Sequence, residues 1–194
     1  MEPTLAAYTF CNTNFEAFLD GARDAGFPCV GIGFHKGYVD IPLEDLSEDD
    51  EAFVRGALES RGLQLCAIYG GVDLLADDGP ELLRRKLDGA ARFGVSVYDT
   101  GAIALDEDPD VRARNVATFV ERIRVAGDYA DKLGITICLE THGGFTGDAE
   151  NCLAAGMDDY IAKPVQATAL YAVIDSVLDR FAPRPIAMDD QQGT

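Results

Sequence analysis

The sequence predicts a parallel α/β fold built from about six strand–helix units. Short apolar runs alternate with amphipathic stretches, which is the pattern of strands joined by helices. The runs are largely unalternated, as in strands buried on both faces of a parallel sheet. A glycine separates helix from strand at five places, namely Gly26, Gly62, Gly94, Gly134 and Gly156. Glycine just past a helix end readily takes a left-handed conformation, so the chain can turn directly into a strand.

Six apolar segments are expected to form the strands, and the stretches between them carry apolar residues at helical spacing. The predicted strands are Leu5–Phe10, Cys29–Phe34, Leu63–Tyr69, Val95–Thr100, Ile135–Leu139 and Tyr160–Ala162. The predicted buried helix positions are Phe15, Phe18, Leu19 and Ala22; Phe53, Val54, Ala57 and Leu58; Leu82, Leu83, Leu87, Ala90 and Ala91; and Val116, Phe119, Val120, Ile123 and Ala126. Ser47 and the acidic residues 48–50 favour the start of the second helix, and Pro80 suits the first turn of the third.

Composition excludes several classes of protein. The 194 residues are 47% hydrophobic, enough for one domain with a sizeable core, and no apolar run approaches the roughly 18 residues of a membrane span. The net charge of −18 disfavours binding to nucleic acid and to anionic lipid. The N-terminus has no secretory pattern, and the five cysteines include no C-x-x-C pair, so we expect buried thiols in a cytoplasmic protein.

Polar residues close the predicted strands, where parallel α/β proteins carry their chemistry. Both histidines of the chain, His35 and His142, follow strand ends, the first beside Lys36. Glu140 and His142 are two apart and so point to the same side, and a carboxylate ending a buried strand needs an offsetting cation such as a divalent metal or a lysine. The structural alternatives are a Glu140 paired with Arg or Lys, a His142 that caps a loop, and a solvated loop at His35–Lys36.

Residues 5–149 resemble the xylose-isomerase-like TIM-barrel superfamily of sugar phosphate isomerases and epimerases. The resemblance lies in Ala25-Gly26-Phe27-x-x-Val30-x-Ile32 and in Leu139-Glu140-Thr141-His142-Gly143-Gly144-x-Thr146. It implies that Glu140 is the first of four ligands to a divalent metal (Mn, Zn or Mg) and that His142 faces the substrate. The substrate would be a sugar or sugar phosphate, with His35 binding it and Lys36 holding a phosphate.

The segment from Asn151 to Val165 resembles the end of a response-regulator receiver domain, and the resemblance covers residues 148–182. It implies that Lys163 would contact a phosphoryl group and that Pro164 would follow a cis peptide. A receiver also needs an acidic pair and a phosphoacceptor aspartate in earlier strands, and no receiver segment carrying them precedes residue 148. We therefore expect no phosphoryl acceptance.

The two resemblances together predict a chimera. Residues 1–149 would form a partial TIM barrel of about five units, residues 150–182 a flavodoxin-like receiver unit (helix–strand–helix) that completes the same domain, and residues 183–194 a loosely ordered tail. A complete eight-unit barrel has roughly 250 residues, so we expect an incomplete or open barrel. A second copy of the chain would cover its exposed sheet edge in a homo-oligomer.

The expected function is that of an isomerase or epimerase by ancestry, with its activity lost or impaired. The resemblance places the other three metal ligands (an Asp, a His and a Glu) beyond residue 150, and the sequence there does not supply them. Two alternatives stay open: a non-catalytic chimeric α/β scaffold, and a receiver-derived interaction module without a phosphoacceptor.

Overall fold

A computed structural model describes the backbone of eight parts of the chain, and all structural statements below concern these parts: residues 4–6, 14–34, 38–101, 106, 108–140, 166, 168–173 and 176. The elements in chain order are β1 (Thr4–Ala6), α1 (Phe15–Asp24), β2 (Cys29–Gly33), a 3₁₀ helix (Leu43–Asp45), α2 (Glu48–Glu59), β3 (Gln64–Tyr69), α3 (Gly79–Phe93), β4 (Val97–Gly101), α4 (Pro109–Lys132) and β5 (Thr136–Glu140).

The chain divides into two compact units, residues 1–144 and 145–194. All the elements named above belong to the first unit. In the second unit, residues 168–173 are helical. The predicted sixth strand, Tyr160–Ala162, and the predicted tail fall outside the described residues.

The five strands form one parallel sheet in the order β1-β2-β3-β4-β5. Each strand pairs with the next one in sequence, so the strand order never reverses as it does at the switch point of a doubly wound sheet. This sequential order is that of a (β/α) barrel. Within the described residues β1 and β5 do not pair with each other, so the sheet is open. The predicted parallel α/β fold is therefore confirmed.

Four of the glycines predicted to end helices adopt the left-handed conformation. Gly26, Gly62, Gly94 and Gly134 have φ values between 67° and 80°. At Gly134, for example, the next residue but one is already the first of β5. The helix-to-strand turns thus lie where the sequence places them, and β2 to β5 start within two residues of their predicted positions.

The first two helices begin at side-chain caps. The Asn14 side chain accepts a hydrogen bond from the Ala17 backbone N–H at 2.8 Å. Ser47 and Asp50 form a capping box, in which each side chain accepts from the other residue's backbone N–H. The predicted face of α1 is buried at all four positions. In α2 the prediction for Phe53 is wrong, since 51% of its surface is exposed although its ring centroid lies 6.1 Å from that of Phe15.

Burial is weaker than predicted in the last helix and strand. Of the positions predicted to be buried in α4 only Phe119 is, together with Ala130, which was not predicted. The expectation that the fifth strand is buried on both faces is also wrong, because β5 contains no fully buried residue. Among the described strands β5 pairs with β4 alone, so it lacks a neighbour on its other side. No described helix is both long and apolar enough to cross a membrane.

The capping box of α2 leads to a prediction. Ser47→Ala removes the acceptor for the Asp50 N–H at the first turn, and we expect the free energy of unfolding to fall by about 1 kcal/mol. Urea denaturation measures it. Ser96→Ala is the control, because Ser96 is an exposed serine in the turn before β4, and its substitution should change stability by less than about 0.5 kcal/mol. Equal losses in the two variants would contradict the assignment of the cap.

Candidate functional site

One face of the sheet is apolar. Residues that pair across a parallel sheet share a face, and Ile32, Ile68 and Tyr98 are partners in successive strands. All three have 0% of their surface exposed. Helix α1 contacts β2 and helix α2 contacts β3, and the buried residues of both helices are all apolar. This face is therefore the core of the first unit.

The opposite face is polar at the carboxyl ends of three strands. Tyr69 pairs with Asp99, Asp99 pairs with Cys138, and Glu140 lies two residues beyond Cys138 opposite Gly101. We call the four side chains of Tyr69, Asp99, Cys138 and Glu140 the polar face. Tyr69, Asp99 and Glu140 are half-buried. Strand ends on this edge are where barrel enzymes place their catalytic groups.

Asp99 influences the electrostatics of this face. Cys138 is solvent-exposed as a residue, yet desolvation of its thiol raises the pKa of Cys138, and the negative charge of Asp99 raises it further. The thiol is therefore protonated at neutral pH and is a poor nucleophile. Its place on the polar face is that of a small neutral side chain between two carboxylates.

The ends of β3 and β4 are tied together at Gly70. The Tyr98 hydroxyl donates to the Gly70 carbonyl at 2.7 Å, and the Gly70 N–H donates to the Asp99 carbonyl at 2.9 Å. A Cβ at Gly70 would overlap the Tyr98 hydroxyl, so only glycine fits there. Burial raises the pKa of Tyr98, and the charges of Glu44 and Asp99 add to this effect. These bonds hold the Asp99 backbone in one position at the edge of the site.

The loop between β3 and α3 borders the same edge and is held by α4. Arg122 donates to the carbonyls of Leu74 and Ala76 at 2.6 and 2.9 Å. Leu74 is 1% exposed, and a Cβ at Gly79 would overlap the Asp73 carbonyl, so the loop closes tightly on the start of α3. Sequence reasoning missed this role, because an arginine in an amphipathic helix has the pattern of a solvated residue.

Of the predicted site residues, the structure describes one. Glu140 is the last residue of β5 and lies on the polar face. The other five predicted site residues fall outside the described residues: His35, Lys36, His142, Lys163 and Pro164. The structure places Tyr69 and Asp99 on the same face as Glu140. The sequence shows both at strand ends, but only the register shows that they share its face.

The polar face fits part of a metal site. Carboxylate oxygens are suitable ligands for Mg²⁺ and Mn²⁺, and Asp99 and Glu140 stand on neighbouring strands. Within the described part of the chain no three His, Cys, Asp or Glu residues are grouped so as to hold a metal. Any further ligands would have to come from outside it.

The Tyr98 hydrogen bond leads to a prediction with a pH dependence. Tyr98→Phe leaves the Gly70 carbonyl without this donor, and we expect a loss of about 1–2 kcal/mol at pH 7. The folded pKa of Tyr98 is raised, so its contribution is complete below the unfolded pKa of about 10 and is lost as pH rises from there through the folded value. Denaturation midpoints at pH 8 to 11 should therefore fall less steeply in Tyr98→Phe than in the wild type. Parallel curves would contradict the prediction.

The two hydrogen bonds from Arg122 to carbonyls of the β3–α3 loop lead to a second prediction. Arg122→Gln shortens the side chain and removes its charge, and we expect a loss of about 2 kcal/mol together with faster amide exchange in residues 72–78. Arg112→Gln is the control on the same helix, since the exposed Arg112 donates to the Asp106 carbonyl near the helix start and not to the β3–α3 loop. Unchanged amide exchange of residues 72–78 in Arg122→Gln would show that Arg122 does not hold the loop.

Comparison with known proteins finds a family that matches most of the chain. The family described as "Xylose isomerase-like TIM barrel" matches residues 19–166. The match continues from the strands described above into residues 148–166, which belong to the segment expected from the sequence to be a receiver-like unit. It therefore covers both the polar face and the beginning of that segment.

Solved structures share the fold. A xylose isomerase-like TIM barrel protein from Mycobacterium smegmatis, in complex with magnesium, is 23% identical over 84% of this chain and 64% of its own, with a TM-score of 0.61. D-psicose 3-epimerase in the presence of D-fructose is 18% identical over 84% of this chain and 62% of its own, with a TM-score of 0.63. A probable 3-DHS dehydratase from Bacillus anthracis is 18% identical over 84% of this chain and 62% of its own, with a TM-score of 0.61. The chain spans less than two thirds of each of these proteins. The match over residues 19–166 shows that it belongs to the xylose isomerase-like TIM barrel family.

Proposed function

We propose that this chain is a sugar phosphate isomerase/epimerase-like protein of the divalent-metal type, with impaired turnover. The observation that carries the proposal is the position of Glu140 at the carboxyl end of β5, on the same face as Asp99 of β4. Two carboxylates on adjacent strand ends form an anionic site that a divalent cation would neutralise. The metal would be Mn²⁺, Zn²⁺ or Mg²⁺.

Family membership supports the proposal. The resemblance of residues 139–146 to the family's first metal ligand falls on Glu140. One structural neighbour is a complex with magnesium, and another is an epimerase in the presence of D-fructose. The chemistry of sugars with adjacent hydroxyl and carbonyl groups suits such a site, because a cation can bind both oxygens.

In this proposal each residue has a simple task. A bound metal would polarise the carbonyl of a hydroxy-ketone or hydroxy-aldehyde sugar. Glu140 holds the cation, and Asp99 contributes a second carboxylate that orients it or a substrate hydroxyl. His142 and His35 bind the substrate, and Lys36 holds a phosphate where the sugar carries one. Lys163 and Pro164 keep only the receiver-derived role that the sequence predicts for them.

Impaired turnover follows from the number of ligands. The resemblance assigns one of four family ligands to this chain, Glu140, and the region after residue 150 does not match the other three. Fewer protein ligands leave more coordination sites to water, so both the metal affinity and the orientation of the substrate should suffer. We therefore propose weak metal binding with slow or absent isomerisation.

Metal-dependent thermal unfolding tests the proposal. A metal that binds only the folded protein stabilises it by about 2.7 kcal/mol at a hundred times its dissociation constant. For a chain of this size the melting temperature would rise by roughly 5 to 11 °C. We expect Mn²⁺ to cause this rise relative to EDTA in the wild type and not in Glu140→Gln. Glu121→Gln, an exposed carboxylate of α4, is the matched control and should respond as the wild type does.

The outcomes separate the alternatives. A rise that disappears only in Glu140→Gln supports the metal site, and an isomerase assay with ketoses and aldoses then measures what turnover is left. A cooperative melt that is indifferent to Mn²⁺, Zn²⁺ and Mg²⁺ would reject the metal-dependent function. The non-catalytic scaffold would then be the better explanation.

A further inference from the structure

We propose that Tyr69, which lies across Gly31, is the floor of the substrate site and packs against the carbon skeleton of a bound sugar. The proposal rests on the sugar-binding function proposed above and adds a binding residue to it. It assigns to the apolar side of the substrate a contact that the carboxylates of Asp99 and Glu140 are unable to provide.

The side chain of Tyr69, the last residue of β3, reaches across the neighbouring strand. Its register partner in β2 is Gly33, yet its ring reaches back to Gly31, two residues closer to the amino end. A Cβ at Gly31 would lie 2.8 Å from Cζ of Tyr69 and would overlap its hydroxyl. The ring therefore occupies the place that a side chain at residue 31 would take. Because Gly31 has no side chain, the hydroxyl end of the Tyr69 ring can lie over β2.

The position of the Tyr69 ring over Gly31 has a consequence for the polar face. Gly31 and Gly33 have no side chains, and Ala67, the partner of Gly31 in β3, has only a methyl group. Compared with these three neighbours among the described residues, Tyr69 has the bulkiest side chain, and it is half-buried, so part of its surface is accessible to solvent. Next to it, Asp99 and Glu140 rise along β4 and β5. The result is an aromatic surface with carboxylates along one side.

This combination matches the two sides of a sugar. A sugar presents C–H groups on one side of its carbon skeleton and hydroxyl groups at its edges. An aromatic ring offers a large rigid apolar surface with little loss of conformational entropy, and binding sites typically combine such surfaces with a few polar groups. The Tyr69 ring would receive the C–H side, while hydroxyl oxygens face the carboxylates or a cation bound there.

Binding of unmodified sugars by variants tests the proposal. D-fructose and D-xylose are titrated by equilibrium dialysis in saturating Mg²⁺, and saturation-transfer NMR with irradiation of aromatic protons reports whether sugar C–H groups contact a ring. Tyr69→Leu keeps a smaller apolar side chain but removes the aromatic surface, and it should weaken sugar binding by about tenfold. Tyr69→Phe keeps the ring and should stay within about threefold of the wild type.

Gly31→Ala tests the placement of the ring and leaves the Tyr69 residue itself unsubstituted. The added methyl displaces Tyr69 from the sheet, so we expect a loss similar to that of Tyr69→Leu. Gly56→Ala is the matched control, since a Cβ at Gly56 of α2 meets no atom within 4 Å and should leave sugar binding unchanged. Thermal melts of all variants check that each is folded.

The possible results distinguish this inference from the function on which it rests. Weaker sugar binding in both Tyr69→Leu and Gly31→Ala, with the response to Mg²⁺ retained, supports the aromatic floor. Wild-type sugar affinity in those two folded variants would overturn it, while the proposed function would stand if Glu140→Gln still abolished the response to Mg²⁺. A wild-type protein that binds neither sugar would overturn the aromatic floor, and if its melting temperature were also indifferent to Mg²⁺, Mn²⁺ and Zn²⁺ the proposed function would fall with it.

Discussion

The parallel register of β3, β4 and β5 is the constraint on which the rest of the structure depends. Side chains alternate between the two faces of a strand, so one register decides for three strands at once which residues are buried. In the observed register Ile68 and Tyr98 face the core, and Asp99 and Glu140 face away from it. A shift by one residue would bury both carboxylates in the apolar core, which would cost far more than the sheet gains from its hydrogen bonds.

Much of the fold could be predicted from the sequence, because the signals are local. The helix-ending glycines and the apolar spacing of α1 are properties of a few neighbouring residues. Burial in α4 and β5 was predicted less well, because it depends on what packs against them and not on their own pattern. Phe53 shows the same limit, since a spacing rule does not tell where a helix face ends.

The sequence likewise predicts one part of the candidate site and not the rest. The position of Glu140 at a strand end can be recognised from the sequence, and its resemblance to a family motif names a chemistry for it. That Tyr69 lies over Gly31, or that Arg122 binds two carbonyls of a distant loop, depends on contacts between residues about 40 to 50 positions apart. No local pattern encodes such contacts. They become visible only when the strands are in place.

The sequential strand order has a consequence for how such a chain is assembled. Because every new strand joins the free edge left by the one before it, no strand has to be inserted between two that are already paired. The sheet can grow from the N-terminus while the chain is being synthesised, and its contacts link only neighbouring units. Recombination that replaces everything after β5 would therefore leave the pairing of the first five strands intact. In a fold of this kind the later strand–helix units can be replaced without any change in the pairing of the earlier strands.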